Sequence, residues 1–205
     1  MTLSVQKALE ARSATNFFDT TKTITDEQIN ELVRLATLAP TAFNLQNWRF
    51  VAVKSDSAKQ KLLPAAYGQK KVVDASVTFI VCGEIESHKN FDRVAKILVE
   101  RGGVSEADAE VWKGKVNAAH ENNPSIQKAE AFRSASLGSM ALMLAAEELG
   151  LASGPMSGFD PAAVSAAFDL PETSIPVILV AVGYEAEGNY PQQPRLDVSE
   201  VLDIV

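Results

Sequence analysis

Three short segments of this 205-residue chain group side chains that could bind a small molecule. The first, residues 12–19, directly follows a predicted helix, and its first five residues supply a guanidinium, two hydroxyl groups and an amide. Such a cluster of donors could contact a ligand. It could equally cap the end of the preceding helix, so on its own this segment leaves both interpretations open.

The second segment, residues 40–50, is a predicted loop between a helix and a strand, and it is rich in amides and aromatic rings. A loop in that position can offer backbone N–H groups and amide side chains to a planar heterocycle, while Phe43 or Trp48 supplies a packing surface. In the alternative interpretation, Trp48 belongs to the core and the amides form turns.

The third segment, residues 154–160, places glycines where the backbone could approach a ligand closely, just before a predicted helix. Further along, Arg195 is the one basic residue between positions 134 and 205, a stretch that contains ten acidic residues. Its planar guanidinium suits a bidentate phosphate contact, and a salt bridge with one of those carboxylates is the alternative.

The usual catalytic nucleophiles and metal ligands are scarce in the sequence. Cys82 lies in an apolar stretch typical of a buried strand, where a cysteine is inert. His88 and His120 fall in a charged region, where we expect solvated imidazoles. One cysteine and two histidines cannot form a closed zinc site, so no metal is expected. The glycine-rich Rossmann motif is also missing, which disfavours a tightly held dinucleotide of that type.

Composition and charge limit the classes of partner. With 46% hydrophobic and 22% charged residues, the chain can build a buried core, and it suits a single domain over residues 1–205. Nineteen basic and 26 acidic residues give a net charge of −7, which argues against nucleic-acid and anionic-membrane partners. The N-terminus lacks the apolar core of a signal peptide, and no apolar stretch approaches the roughly 20 residues of a membrane span. We therefore expect a cytoplasmic protein.

Hydrophobic spacing and capping signals predict that helices outweigh strands. Thr25 should cap the second helix with Gln28 in reciprocal contact, and Pro40 should end it. A long helix over residues 125–149 has almost no polar side in its second half, so it should be buried in the core or at a subunit interface, and Gly150 should cap it. The other predicted elements are helices 3–11, 57–66 and 160–168, strands 50–53, 77–82 and 177–182, a peripheral helical excursion over residues 84–123 that is split at Gly102 and Gly103, and an extended arm over the last twenty residues.

Taken together and in this order, these segments resemble the FMN-dependent nitroreductase family, and the resemblance extends from Ala8 to Leu196. It rests on five matches: Arg12-Ser13, the loop from Pro40 to Trp48, Gln69 and Lys71 before Asp74-Ala75-Ser76, Pro155 to Phe159, and Pro194-Arg195-Leu196. The family resemblance implies an α+β fold with three α-β-α layers around a central mixed sheet, in an intertwined homodimer.

The same resemblance implies roles for individual residues. Arg12, Lys71 and Arg195 would hold the ribityl phosphate and the electron-rich pyrimidine edge of FMN. The other implied contacts are hydrogen bonds from Ser13, Asn16 and Gln69, backbone approach by Pro155, Met156 and Gly158, and a loop from the other subunit that contains Pro40, Thr41, Ala42 and Asn44.

By resemblance, the protein is an FMN-dependent oxidoreductase that works by a ping-pong mechanism. NADH or NADPH would pass a hydride to FMN N5 and leave, and an electron-poor nitroaromatic, quinone or activated carbonyl would then bind at the same face. This chemistry needs no serine, cysteine or histidine nucleophile. The alternatives are a flavin-dependent reductase of a small semialdehyde or enal, and a flavin-binding protein without turnover. The excursion over residues 84–123 is expected to cover the flavin and shape the substrate pocket.

Overall fold

A four-stranded antiparallel sheet lies at the centre of the fold in this computed structural model, which describes residues 4–205. Its strands are β1 (Trp48–Val53), β2 (Val77–Glu84), β3 (Ala152–Met156) and β4 (Ser174–Gly183), arranged in the order β1-β2-β4-β3. All three pairings are antiparallel, so the sheet of the described chain is not the mixed sheet that we expected. The connections from β1 to β2 and from β3 to β4 each enter the next strand at the end of the sheet where the previous strand finished. Each of these neighbouring strands therefore runs opposite to the one before it.

Helices cover both faces of this sheet, which confirms the three-layer α-β-α arrangement. One face packs against two helices, α2 (Asp26–Ala36) and α7 (Pro124–Glu148), through buried Leu32 and Leu142. The other face packs against α3 (Asp56–Leu62) and α8 (Pro161–Ala167) through buried Leu62 and Val164. The helices of the described chain are α1 (Val5–Ala11), α2 (Asp26–Ala36), α3 (Asp56–Leu62), α4 (Lys71–Asp74), α5 (Phe91–Glu100), α6 (Glu106–His120), α7 (Pro124–Glu148), α8 (Pro161–Ala167) and α9 (Val198–Val201).

Strand β2 shows how the sequence produces this layering. Its residues from Val77 to Gly83 are buried, and they alternate between the two faces: Phe79 belongs to the α2–α7 core, whereas Ile80 belongs to the α3–α8 core. A strand covered on both sides should be almost wholly apolar, and β2 is apolar apart from Thr78 and Glu84 at its end. The buried Thr78 hydroxyl is satisfied, because it donates to the Val72 carbonyl at 3.2 Å. Close packing extends to the backbone, because a Cβ atom at Gly83 would lie 2.5 Å from the Ala131 carbonyl oxygen of α7.

Local capping signals act as the sequence predicted. The Thr25 hydroxyl accepts a hydrogen bond from the Gln28 N–H at 3.2 Å, and the Gln28 side chain accepts one from the Thr25 N–H at 3.0 Å. The helix that they begin ends at Ala36, three residues earlier than the apolar spacing suggested, and a turn leads from there to Pro40. Gly150 follows α7 with a φ of +67°, a left-handed conformation that glycine adopts without strain.

The long helix α7 is buried on one side within the described protomer. Small residues such as Ala135 and Ala146 face the sheet, whereas Phe132 and Leu137 are 39% and 46% exposed. The sequence predicted that this helix is buried in the core or at a subunit interface. The structure of one chain shows that the inner face of α7 is buried in the core. Among residues 4–205, no helix is long and apolar enough to cross a membrane.

The excursion has a small core of its own and a buried histidine pair. Phe91 and Val116 pack with Leu45 between α5 and α6, which are separated at Gly102 as expected. His88 and His120 are only 7% and 4% exposed, so the prediction of solvated imidazoles was wrong. Their rings stack with centroids 5.8 Å apart, because the short 3₁₀ turn at Ser87–Asn90 packs against the end of α6. Burial and the neighbouring His120 both lower the pKa of His88.

Candidate cofactor site

The predicted site begins with residues 12–17, which we call the N-terminal segment. This segment leaves α1 and runs alongside the edge strand β3, where the Thr15 N–H donates to the Ser153 carbonyl at 3.0 Å. A Cβ atom at Gly154 would lie 2.2 Å from the Thr15 carbonyl oxygen, so only glycine permits this approach. At Gly154, the close approach that the sequence suggested for a ligand is therefore made by another part of the same chain.

The motif at residues 154–160 is half strand and half loop, and its strand half, in β3, is absent from the predicted strands. Residues up to Met156 belong to β3 and pair with β4, and Pro155 is tolerated because β3 is an edge strand. Gly158 lies in the loop beyond and is exposed, and the space around it is open: a Cβ atom there would meet only the Gln69 amide nitrogen, at 3.9 Å. The backbone around Gly158 is thus accessible to a flat ligand.

The second side of the site is α4 and the residue pair before it. The Gln69 side chain donates to the Gly158 carbonyl at 2.7 Å and to the Ala66 carbonyl at 3.1 Å. The Lys71 ammonium donates to the Asn16 side-chain oxygen at 3.0 Å. The fold thus joins the N-terminal segment, α4 and the loop after β3, three parts of the sequence that the motifs singled out separately.

Arg12 and Lys71 are half-buried cations, and Glu147 lies close enough to Arg12 for their charges to interact. Within residues 4–205, neither forms a salt bridge, and the Arg12 guanidinium instead lies 3.9 Å from the Met143 sulfur. Burial lowers the pKa of Lys71. Burial raises the pKa of Glu147, and nearby Arg12 opposes that rise. Two cations with spare N–H donors, beside the amides of Asn16 and Gln69, form a donor set that suits an anionic cofactor such as FMN.

Arg195 lies on the exposed stretch after β4, residues 185–205, which we call the C-terminal arm. Its guanidinium donates to the carbonyl oxygens of Gln193 and Pro194. In the described part of the chain it has no carboxylate partner, so the alternative of an intramolecular salt bridge is not found. In residues 4–205 no hydrogen bond joins Arg195 to the N-terminal segment or to α4 either.

Among residues 4–205, the loop at residues 40–46 makes no hydrogen bond to the N-terminal segment, α4 or the loop after β3. It forms a 3₁₀ turn at Ala42–Asn44, in which Phe43 and Asn44 have positive φ angles, and the Thr41 hydroxyl accepts from the Gln46 N–H at 3.0 Å. Phe43 packs toward the excursion, whereas Pro40, Ala42 and Asn44 are exposed. Trp48 begins β1 and lies 6.3 Å from Phe50, ring centroid to ring centroid.

Sequence reasoning missed two residues of the C-terminal arm that hold the N-terminal segment. The Asn189 amide makes hydrogen bonds with Asn16 and Phe17, and the Gln192 amide donates to the carbonyls of Leu9 and Arg12, both at 2.8 Å. No local pattern marks either residue, because the partners lie more than 170 positions away in the chain.

A sequence profile of the Nitroreductase family matches residues 9–184. The chain belongs to the nitroreductase family. The resemblance drawn from the five motifs is therefore confirmed, and the matched range includes every predicted site residue except Arg195.

Relatives of this nitroreductase match along nearly the whole chain. YodC of Bacillus subtilis strain 168, which is named as an NAD(P)H nitroreductase, is 34% identical over 193 residues, covering 94% of this chain and 95% of YodC. A nitroreductase structure from Exiguobacterium sibiricum 255-15, solved in complex with FMN, superposes with a TM-score of 0.92 at 26% identity, covering 98% and 97% of the two chains. The enone reductase CLA-ER, from a gut-bacterial fatty-acid saturation pathway, superposes with a TM-score of 0.84 at 27% identity, covering 95% and 94%.

Proposed function

We propose that this nitroreductase is an NAD(P)H-dependent FMN oxidoreductase that reduces an electron-poor small molecule. The observation that carries the proposal is the pair of half-buried cations, Arg12 and Lys71, which form no salt bridge among the described residues and lie beside amide side chains. Bound FMN would accept a hydride from NADH or NADPH and supply it to the acceptor in a ping-pong cycle. The FMN in the Exiguobacterium structure and the name of YodC support this cofactor pair.

The residues of the chain would bind and orient the flavin rather than react. Arg12 and Lys71, together with Arg195, would bind the phosphate and the pyrimidine edge, where reduction adds negative charge. Ser13, Asn16 and Gln69 would add hydrogen bonds, and Pro155, Met156 and Gly158 would bring backbone to one face of the ring. Because Gly158 is exposed and unobstructed, a planar ring can approach it closely. No side chain needs to act as a nucleophile.

The proposal includes a homodimer in which the second subunit completes each site. Within the described protomer no hydrogen bond joins Pro40, Thr41, Ala42 or Asn44 to the rest of the site, so they would serve the site of the partner. The apolar side chains exposed on α1 and α7, among them Val5, Phe132 and Leu137, supply a surface that a second copy could bury. Sedimentation of the FMN-loaded protein tests this point, since a monomer that retains FMN would rule out the shared site.

The acceptor would be a nitroaromatic, a quinone or an activated carbonyl, with the excursion over the flavin shaping its pocket. A second candidate is a reductase dedicated to an enal or a small semialdehyde, and the structural similarity to an enone reductase favours keeping it. Cytoplasmic location belongs to the proposal as well, because the free thiol of Cys82 suits a reducing compartment.

The test begins with the visible spectrum of the purified protein after FMN is added. We expect the bands of bound flavin, bleaching by NADH or NADPH without oxygen, and return of the bands on adding an acceptor from a panel of nitro, quinone and enal compounds. Arg12→Ala should weaken FMN binding sharply, whereas Arg34→Ala, which removes an exposed α2 cation paired with Glu31, should not. Failure to bind FMN would refute the proposal. Binding without bleaching would favour the flavin-binding protein, and turnover of enals alone would favour the second candidate.

A further inference from the structure

Asn189 of the C-terminal arm is bound by its side chain to the backbone of the N-terminal segment. Its Oδ1 accepts from the N–H groups of Asn16 at 2.7 Å and Phe17 at 3.0 Å. Its Nδ2 donates to the carbonyls of Phe17 at 2.8 Å and Ala186 at 3.0 Å. Two donors and two acceptor positions are all that an amide side chain offers, so this group is fully used.

These bonds continue into the site through Asn16. The backbone of Asn16 is held by Asn189, while its side-chain oxygen accepts from the Lys71 ammonium at 3.0 Å. A shift of the backbone at Asn16 would therefore carry away the hydrogen-bond partner of Lys71. Asn189 is thereby connected to a site cation without touching it.

The N-terminal segment is held on two sides, by β3 on the inner side and by the C-terminal arm on the outer side. On the inner side, Thr15 is bound to β3 and packs tightly against Gly154. On the outer side, Gln192 binds the carbonyl of Arg12 at 2.8 Å, and the Ala186 N–H donates to the carbonyl of Phe17 at 3.0 Å. Among the described residues, the hydrogen-bond partner of the Asn16 N–H is Asn189. Asn16 itself is exposed, so little packing would hold its backbone if the amide were removed.

We propose that Asn189 is a positioning residue for the flavin site, acting on FMN binding through the backbone of Asn16 and Phe17 and through the Asn16–Lys71 contact. The inference rests on the proposed function, because it takes residues 12–16 and Lys71 as the FMN contacts. Asn189 need not contact the cofactor. Its effect comes from the geometry that it imposes on residues that do.

The first test compares FMN dissociation from wild type, Asn189→Ala and a control. We expect Asn189→Ala to weaken FMN binding at least about tenfold, the size that loss of one to two hydrogen bonds produces. Thr25→Ala removes a helix cap whose hydrogen bonds with Gln28 do not involve the segment, so we expect lower stability and unchanged FMN affinity. Equal FMN affinity in wild type and Asn189→Ala would overturn the inference.

Spectra of the bound cofactor separate positioning from a general loss of stability. In Asn189→Ala, we expect a shift of the ³¹P resonance of bound FMN, because its cationic surroundings move, and no such shift in Thr25→Ala. A second comparison adds Asn16→Ala. If Asn189 acts through Asn16, the double variant loses less FMN affinity than the product of the two separate losses. If the loss of FMN affinity in the double variant equals the product of the two separate losses, Asn189 does not act through Asn16.

A measurement on the unmodified holoenzyme covers the case in which Asn189→Ala does not fold. The amides of Asn16 and Phe17 lie in an exposed segment, so slow hydrogen exchange at both is expected only if Asn189 holds them. Exchange at the rate of an open peptide would refute the inference. The failure of this inference can be distinguished from failure of the proposed function. If wild type binds no FMN, both are refuted. If Arg12→Ala weakens FMN binding and Asn189→Ala does not, only the inference about Asn189 is refuted.

Discussion

Replacing Gly154 by alanine should move the N-terminal segment away from β3 and damage the cofactor site. The added Cβ atom would lie 2.2 Å from the Thr15 carbonyl oxygen and 3.3 Å from its carbonyl carbon. Both contacts are with backbone, which cannot rotate away as the end of a side chain can. The strain must therefore be relieved by moving the N-terminal segment away from β3.

The expected loss of stability follows from two contributions. Separation breaks the 3.0 Å hydrogen bond from the Thr15 N–H to the Ser153 carbonyl, which is worth about 1 kcal/mol. Overpacking at a tight contact costs about 1–3 kcal/mol more. The sum, about 2–4 kcal/mol, is a large share of the roughly 5–15 kcal/mol that stabilises a typical domain. FMN affinity should fall as well, because the proposed FMN contacts Arg12, Ser13 and Asn16 move with Thr15.

Urea unfolding and FMN titration, run on the same preparations, measure the two effects. The control is Gly114→Ala on α6, an exposed helical site where a Cβ atom meets nothing within 4 Å. There the substitution should stabilise the protein by about 0.5–1 kcal/mol and leave FMN affinity unchanged. If Gly154→Ala matches wild type in both measurements, the close approach of the segment to β3 is not rigid and the reasoning fails.

Three further predictions concern buried polar groups. The pKa of His88 is lowered in the folded protein, so the unfolded protein is protonated at this residue at a higher pH than the folded one. The free energy of unfolding should therefore fall as the pH drops below about 6.5, and it should fall less in His88→Gln. Equal slopes of unfolding free energy against pH in wild type and variant would contradict this. Burial raises the pKa of Cys82 to about 12, so a thiol reagent at pH 8 should label the protein only after denaturation. Lys59 donates to the Ala75 carbonyl at 2.5 Å, so Lys59→Met should cost about 1–3 kcal/mol, and an unchanged urea midpoint would disprove that cost.

Features whose cause lies within a few residues could be predicted from the sequence. Thr25 and Gln28 are three residues apart and cap each other, and the break at Gly102 separates α5 from α6 as expected. The buried, inert Cys82 also followed from its apolar neighbours. In each case short-range geometry and hydrophobicity determine the outcome, so no knowledge of the fold was needed.

Features that depend on distant parts of the chain were missed. Gly154 and Pro155 have poor strand propensity, and the position of β3 at the sheet edge, which makes a proline acceptable, is a property of the whole sheet. His88 and His120 are 32 residues apart, and in the fold their rings stack and help to bury each other. In the sequence each has charged neighbours, so the local pattern favoured exposure. The motifs identified the family and its candidate contacts, but not the amides of Asn189 and Gln192 that hold the N-terminal segment.

The order of translation separates the two partners of this contact in time. Asn16 is translated early, but the side chain that binds its backbone follows 173 residues later. Until Asn189 has been added and has left the ribosome, the N–H groups of Asn16 and Phe17 lack the acceptor that they bind in the folded protein. If residues 12–16 bind FMN as proposed, a translation product that ends before the arm would present a less ordered site and should bind FMN more weakly.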